Sequence, residues 1–317
     1  KELIMFAAEE GQIKDKYMPL AFENRLDWDI LIMQKGLEEW TPTGLARYYK
    51  RHGAGIFSRY RGFYWNGNAL EGIENIDPIT LDQLVGYDIQ KNILMENTEK
   101  FLNGYPANNV LLYGDKGTGK SSMVKALIHK YGDRGLRIIE LPKAHAGDYY
   151  RVINELEKRG YKFILFIDDL SFEEHETEYK HIKALLEGGL NARPSNVLVY
   201  ATSNRRHLVR ELVSDRSSAG FHYNDHGEIS PTDSMQEKLS LSDRFGITLT
   251  FIAPNQRGYL DIVRSIARKR GLKIKDEELR EKALQWERRF NGRSGRTARQ
   301  FIDDLEGKLS NSSKCSF

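Results

Sequence analysis

The sequence has a single cysteine, Cys315, so no disulfide can form within the chain, and a reducing, cytoplasmic setting is expected. No apolar run approaches the ~20 residues that a membrane-spanning helix needs. There is no internal repeat and no long low-complexity segment, which argues against a repeat architecture. The histidines, among them His145, His175, His181, His222 and His226, lack metal-ligand spacing beside cysteines and are read as surface or loop residues. The chain opens with Lys1 rather than Met, which leaves room for a targeting segment upstream. An excess of either charge is missing too: 48 Lys and Arg against 45 acidic residues leave a net +3, which does not by itself indicate a nucleic-acid partner. Acidic residues are nevertheless absent from Thr41 to Leu70, where Arg47, Lys50, Arg51, Arg59 and Arg61 lie. Such local asymmetry either builds a field that steers a polyanion or is only the solvated face of ordinary helices.

What is present is enough apolar residue, 40% of 317, for one large domain or two ordinary ones. The first 75 residues mix short helical patterns with aromatics, and "NIDPITLDQLVG" brings turn formers, so a boundary is placed there. Beyond it, short apolar runs alternate with helical stretches: 108–114, 137–141, 163–167, 195–203 and 247–253. This pattern predicts an α/β fold with a five-stranded parallel sheet and helices on both faces. The polar stretch "SSAGFHYNDHGEISPTDS" reads as an insertion or loop, and three helical stretches after Asn255 read as a small helical unit. The expected division is an N-terminal, mainly helical domain over 1–75, an α/β domain over 76–254 and a helical lid over 255–317.

The first of these strands runs into Gly114-Asp115-Lys116-Gly117-Thr118-Gly119-Lys120-Ser121-Ser122, the pattern G-x-x-x-x-G-K-[ST] between a strand and a helix. The glycines let backbone N–H groups wrap a phosphate at a positive helix end. Lys120 would reach the outer phosphates and Ser121 would ligate Mg²⁺. The third strand, "FILFIDDL", ends in two adjacent carboxylates, which are costly unless something cationic binds. Asp168 fits a metal-holding role beside a phosphate loop, and Asp169 that of the base or water-orienting group.

With these motifs in place, the sequence resembles the AAA+ ATPases. Within them it resembles a bacterial family of predicted ATPases catalogued as domain of unknown function 815. The resemblance covers Ile76 to about Leu309 and is carried best by "FIDDLSFEEHETEYKHIKALLEGGLNARPSNVLVYATSNRRHL", with "GLARYYKRHGAGIF" also similar. It implies ATP or ADP and Mg²⁺ as ligands, and an adenine pocket at Val85, Gly86 and Tyr87. It implies a sensor at the end of the fourth strand, Asn204, with Ser203 or Thr202 as substitutes. "LSDRFG" is similar to the segment that carries an arginine finger, making Arg244 a group offered to a neighbouring subunit and the active form a homo-oligomer; the alternative is a local ion pair with Asp243. "GRSGRTARQFIDDL" resembles the lid helix whose arginine touches the γ-phosphate, Arg296 or, one turn later, Arg299. Two departures from the family pattern stand out. Asp169 replaces the usual Glu, which implies slow turnover with help from Glu173 or Glu174, and no aromatic–hydrophobic–Gly pore loop is visible.

Tyr48, Tyr49, Phe57, Tyr60, Phe63, Tyr64 and Trp65 interleave with the arginines of the N-terminal stretch. Two readings are open: a platform for single-stranded nucleic acid, or rings packed against the neighbouring domain with arginines stacked on them. The expected function is a Mg²⁺-dependent ATPase whose cycle is coupled to assembly or remodelling of a partner. The rival is a nucleotide-dependent switch or DNA-associated loader with little turnover. A small-molecule kinase has no place for Arg244 or the sensor positions.

Overall fold

Apolar runs become strands buried on both faces. In a computed structural model, the described residues are 55–157, 159–170, 181–182, 185–186, 194–204, 222–223, 229–230, 244–290 and 292–314, with backbone alone at 222–223, 229–230 and 310–314. The strands are β1 (Gly62–Trp65), β2 (Leu70–Ile73), β3 (Val110–Gly114), β4 (Leu136–Glu140), β5 (Lys162–Leu170), β6 (Val197–Asn204), a short antiparallel pair β7 (His222–Tyr223) and β8 (Ile229–Ser230), and β9 (Ile247–Phe251). The main sheet has the order β2-β1-β4-β5-β6-β3-β9, with every pairing parallel except the β1–β2 hairpin.

Alternation along the strands explains the continuous apolar runs. Phe163, Leu165 and Ile167 face one core, shared with Leu111, Val199 and Val152, while Ile164 and Phe166 face another, shared with Leu112, Leu198 and Leu127. A parallel strand covered on both sides has no wet face, so polar residues drop out of it. The helices around the sheet are α1 (Ile56–Arg59), α2 (Asp88–Leu102), α3 (Lys120–Tyr131) and α4 (Tyr149–Glu157). The second core contains one buried polar knot: Asn97 Nδ2 donates to the Tyr200 hydroxyl (3.0 Å), which also meets Thr98 Oγ1 (2.9 Å). Burial pushes the Tyr200 phenol up to about 12, partly offset by these hydrogen bonds.

The expected strand count of five is corrected to seven. β1 and β2 come from the aromatic stretch and extend the sheet beyond β4, so the boundary expected after residue 75 cuts through residues that share one sheet with the phosphate-loop strand. Phe57, Phe63 and Trp65 are buried there, with Arg159 lying 5.4 Å over the Phe57 ring and Arg151 5.5 Å over Trp65. Buried rings cannot stack on bases, so the nucleic-acid reading loses these three residues and packing accounts for them. Arg47, Tyr48, Tyr49, Lys50 and Arg51, and the helical expectation for the first fifty residues, lie outside the described residues. Arg137, expected only as the first residue of a strand, proves to be a buried cation. Its Nε donates to the Phe57 carbonyl (2.7 Å), its Nη1 to those of Gly132 (2.9 Å) and Leu136 (2.8 Å), and it lies 4.2 Å over Tyr161.

The last three helices, α5 (Gln256–Lys269), α6 (Asp276–Phe290) and α7 (Gly295–Lys314), enclose their own core of Tyr259, Val263, Ala283, Ala298 and Ile302. The outer strand β9 is guarded. Gln90 Nε2 donates to the Thr250 carbonyl (2.9 Å) and the Tyr87 hydroxyl to that of Ile252 (2.6 Å). These acceptors alternate with the Phe251 carbonyl, which faces inward to Asp115 N (2.8 Å).

Candidate functional site

The site forms where the strands end. β3 delivers Gly114, and the chain turns into α3 through Gly117 (φ 78°) and Gly119 (φ 93°), both in the left-handed region that favours glycine. Gly114 itself must be glycine because a Cβ there would collide with the Phe251 carbonyl oxygen. Lys120 is buried at the start of α3, its Nζ donating to the carbonyls of Gly114 (2.9 Å) and Asp115 (2.8 Å) and lying 3.5 Å from Asn204 Oδ1. Burial holds the ammonium below the usual lysine range, opposed by the charges of Asp115, Asp169 and Asp168 and reinforced by Arg296.

The paired carboxylates sit on a bulge. Ile167 pairs with Ala201 and Leu170 with Ser203, so two residues of β5 oppose the single Thr202 of β6. The extra residue separates the two aspartates. Asp168 turns toward the phosphate loop, where its Oδ1 accepts from Ser121 Oγ (2.6 Å), Thr202 Oγ1 (2.5 Å) and Asp169 N (3.1 Å). Asp169, with φ 54°, turns the other way. Its carboxylate accepts from Asn204 Nδ2 and lies 4.0 Å from Lys143 Nζ, just past β4. The repulsion expected between adjacent carboxylates is thus relieved by divergent side chains and by separate donors.

These groups line a cleft of about 870 Å³ between the sheet and the helical unit, a volume suited to a nucleotide-sized ligand. Lys116 to Ser122, Asp168, Asp169 and Asn204 line one wall, Val85 and Tyr87 another, and Arg296 and Arg299 a third. Val85 packs against the core of the helical unit while Leu84 and Tyr87 on either side of it pack against the sheet core, the return falling at Gly86 (φ 81°). Ser294 caps α7 by accepting from Thr297 N (3.1 Å), and Arg296 N donates to the Gly117 carbonyl (3.3 Å).

Three expected residues do not line the cleft: Gly114 and Asp115 shape and anchor the phosphate loop, and Gly86 turns the segment before α2. Arg244 also lies outside it. It precedes β9, whose first residue pairs with the first of β3, so it sits at the end of the sheet opposite Gly114. Glu173, Glu174 and Asp243 fall outside the described residues. Sequence reading missed Lys143, Lys269 and Arg270. The last two line the cleft from the end of α5, with Lys269 Nζ on the Asp82 carbonyl (2.9 Å) and Arg270 paired to Asp303 (2.6 Å). Their signal, a basic pair ending a helix, is too common to have stood out. Among the described residues no group of three or more His, Cys, Asp or Glu converges as a metal site, and no helix is long and apolar enough to cross a membrane.

A parallel sheet, a glycine loop at a helix start, an acidic strand end beside it and a helical unit over the cleft define a P-loop protein of the AAA+ ATPase type. Residues 58–309 match the family described as "Protein of unknown function (DUF815)", and the chain belongs to that family. Over 116 residues, 32% of its length, it is 33% identical to the proteasome-activating nucleotidase of Methanosarcina mazei, and the match spans 27% of that relative. Among solved structures, the Thermotoga maritima RuvB Holliday junction branch migration motor is 16% identical, with 73% of each chain covered and a TM-score of 0.43. A lysine-to-arginine mutant of the same motor gives 14%, the same coverage and 0.44. Overlays this loose carry no residue-level correspondence.

Proposed function

We propose that the chain binds ATP with Mg²⁺ and hydrolyses it slowly, the cycle being coupled to assembly or remodelling of a partner. The observation that carries this reading is the 2.6 Å contact between Ser121 and Asp168, a loop hydroxyl and a strand-end carboxylate brought together next to buried Lys120. Both are hard oxygen donors, the ligand type Mg²⁺ takes. Ser121 and Asp168 would hold the ion, which supplies positive charge against the phosphate oxygens. Loop N–H groups at the start of α3 bind the phosphates, and Lys120 leaves the loop carbonyls to meet them. Val85 and Tyr87 flank the base. Asp169 takes the proton of the attacking water once Asn204 releases its carboxylate, and Asn204 then orients that water. Arg296, whose backbone N donates to the Gly117 carbonyl of the phosphate loop, is the lid arginine that would meet the γ-phosphate. Arg244 completes the site of a neighbouring copy, since it lies at the far end of the sheet from its own.

A second reading, a nucleotide switch with negligible turnover, is favoured by the engaged state of Asp169, with Asn204 on its carboxylate and Lys143 4.0 Å away. Phosphate release with and without single-stranded DNA separates the two. Lys120→Ala tests the common core: ATP affinity by calorimetry and turnover should both fall roughly 100-fold, the upper range for a charge-assisted contact. Unchanged affinity and turnover would remove the nucleotide site from consideration.

A further inference from the structure

Three consecutive residues leading out of the sheet are held by the phosphate loop and by the segment before α2. The Phe251 carbonyl accepts from Asp115 N (2.8 Å), the Ile252 carbonyl from the Tyr87 hydroxyl (2.6 Å), and Ala253 N donates to Asp115 Oδ2 (2.7 Å). The Tyr87 ring packs on Phe251 at 4.9 Å between centroids. Immediately beyond come Pro254, with its fixed φ, and Asn255, whose side chain caps α5 by accepting from Gly258 N (2.9 Å). The linker from Ala253 into the lid is therefore short and stiff. The same loop meets the lid's other end, where the Gly117 carbonyl accepts from Arg296 N (3.3 Å) and Ser294 Oγ lies 2.8 Å from where a Gly117 Cβ would stand. Asp115 and Gly117 of the loop thus touch the chain that leads into the first lid helix and the start of the third.

We infer that the Asp115 carboxylate and the Tyr87 hydroxyl are positioning groups, which tie the phosphate loop and the base-binding segment to the lid's leading strand so that an occupied loop sets the lid. Asp115 occupies a position in the loop that needs no side chain for phosphate binding, and its carboxylate points away from the cleft to a backbone N–H. Burial and the Asp115 charge raise the Tyr87 phenol to about 12, so it stays a donor across the working pH range. Ligand filling shifts loop and base segment; both groups pass that shift to 252–253, and Pro254 carries it rigidly into α5. This coupling rests on the nucleotide reading above.

The test is backbone hydrogen exchange at 252–258 and at the start of α7, measured on the full chain with and without saturating non-hydrolysable ATP analogue and Mg²⁺. In the unsubstituted chain, ligand slows exchange at both places. Without ligand, Asp115→Ala speeds exchange at Ala253 by about 10- to 100-fold, the size of one hydrogen bond to a charged acceptor. With ligand bound, Asp115→Ala loses the slowing at 252–258. Asp115→Asn, whose amide oxygen accepts the same N–H, restores it, and Tyr87→Phe, which keeps the ring on Phe251, loses part of it. Tyr87→Phe removes only one oxygen, so it tests the coupling even if Asp115→Ala fails to fold. Slowing of the unsubstituted size in both ligand-bound Asp115→Ala and Tyr87→Phe overturns the inference. A calorimetric trace without binding in the unsubstituted chain overturns the nucleotide reading itself and this coupling with it.

Discussion

The Ser121–Asp168 contact gives a thermodynamic prediction that can be worked from the structure. Asp168 Oδ1 takes three donors, from Ser121 (2.6 Å), Thr202 (2.5 Å) and Asp169 N (3.1 Å). A hydrogen bond to a charged group contributes about 1.5–3 kcal/mol and to a neutral one about 0.5–1.5. Asp168→Asn keeps an acceptor oxygen and removes the charge, so the Ser121 contact should weaken by about 1 kcal/mol. Ser121→Ala removes it entirely. In urea unfolding of the nucleotide-free protein, the double variant should show a coupling of about 1 kcal/mol. In the presence of Mg²⁺ and ATP the same pair should behave differently. If both residues hold one ion, losing either forfeits most of the Mg²⁺-dependent gain in ATP affinity, and losing both costs little more than losing the worse one. Calorimetric titration of ATP with Mg²⁺ and with EDTA, on all four proteins, measures this. Losses that add to within ~0.5 kcal/mol, the behaviour of independent sites, would refute the shared-ion arrangement.

Lys120 and Arg137 give two further tests. Because burial lowers the Lys120 pKa, the unfolded chain binds more protons in the window between its folded value and the ordinary lysine value. Nucleotide-free stability should therefore rise with pH through that window, while ATP affinity falls there as the ammonium is lost. Lys120→Met should flatten both profiles in parallel unfolding and binding titrations, and an unaltered stability slope would show that Lys120 is not the group responsible. Arg137→Met should cost at least ~2 kcal/mol in urea unfolding, since it strips the donor from three carbonyls beneath the hairpin; a change below ~0.5 kcal/mol would deny Arg137 that role.

The parts legible from sequence were those encoded locally. Uninterrupted apolar runs marked the five parallel strands because a doubly covered strand has no polar face, and the loop at Gly114–Ser121 follows from glycine and helix-start chemistry at fixed spacing. The hairpin was overlooked although a signal was available. In "GFYWNGN", Phe63 and Trp65 are buried and Tyr64 is exposed, and Asn66-Gly67 is a strong hairpin turn signal. The interleaved arginines left two readings open for the rings, a nucleic-acid platform or packing against a neighbouring domain, and neither was a strand pair. The divergence of Asp168 and Asp169 could not be read at all, because a bulge exists only relative to the register of β6. Lys143 reaches Asp169 only because β4 lies beside β5, and strand order is not written in any single segment. Whether Arg296 or Arg299 faces the phosphates stood open from spacing alone. Both line the cleft, and it is Arg296 whose backbone meets Gly117.

The guarded outer strand constrains how copies of this chain can meet. With the outward oxygens of Thr250 and Ile252 already occupied by Gln90 and Tyr87, a second molecule finds no free acceptor at the C-terminal end of that rim. Strand addition beside the end of β9 is thereby disfavoured, so copies meeting at that rim would meet through side chains; β2 forms the sheet's other edge.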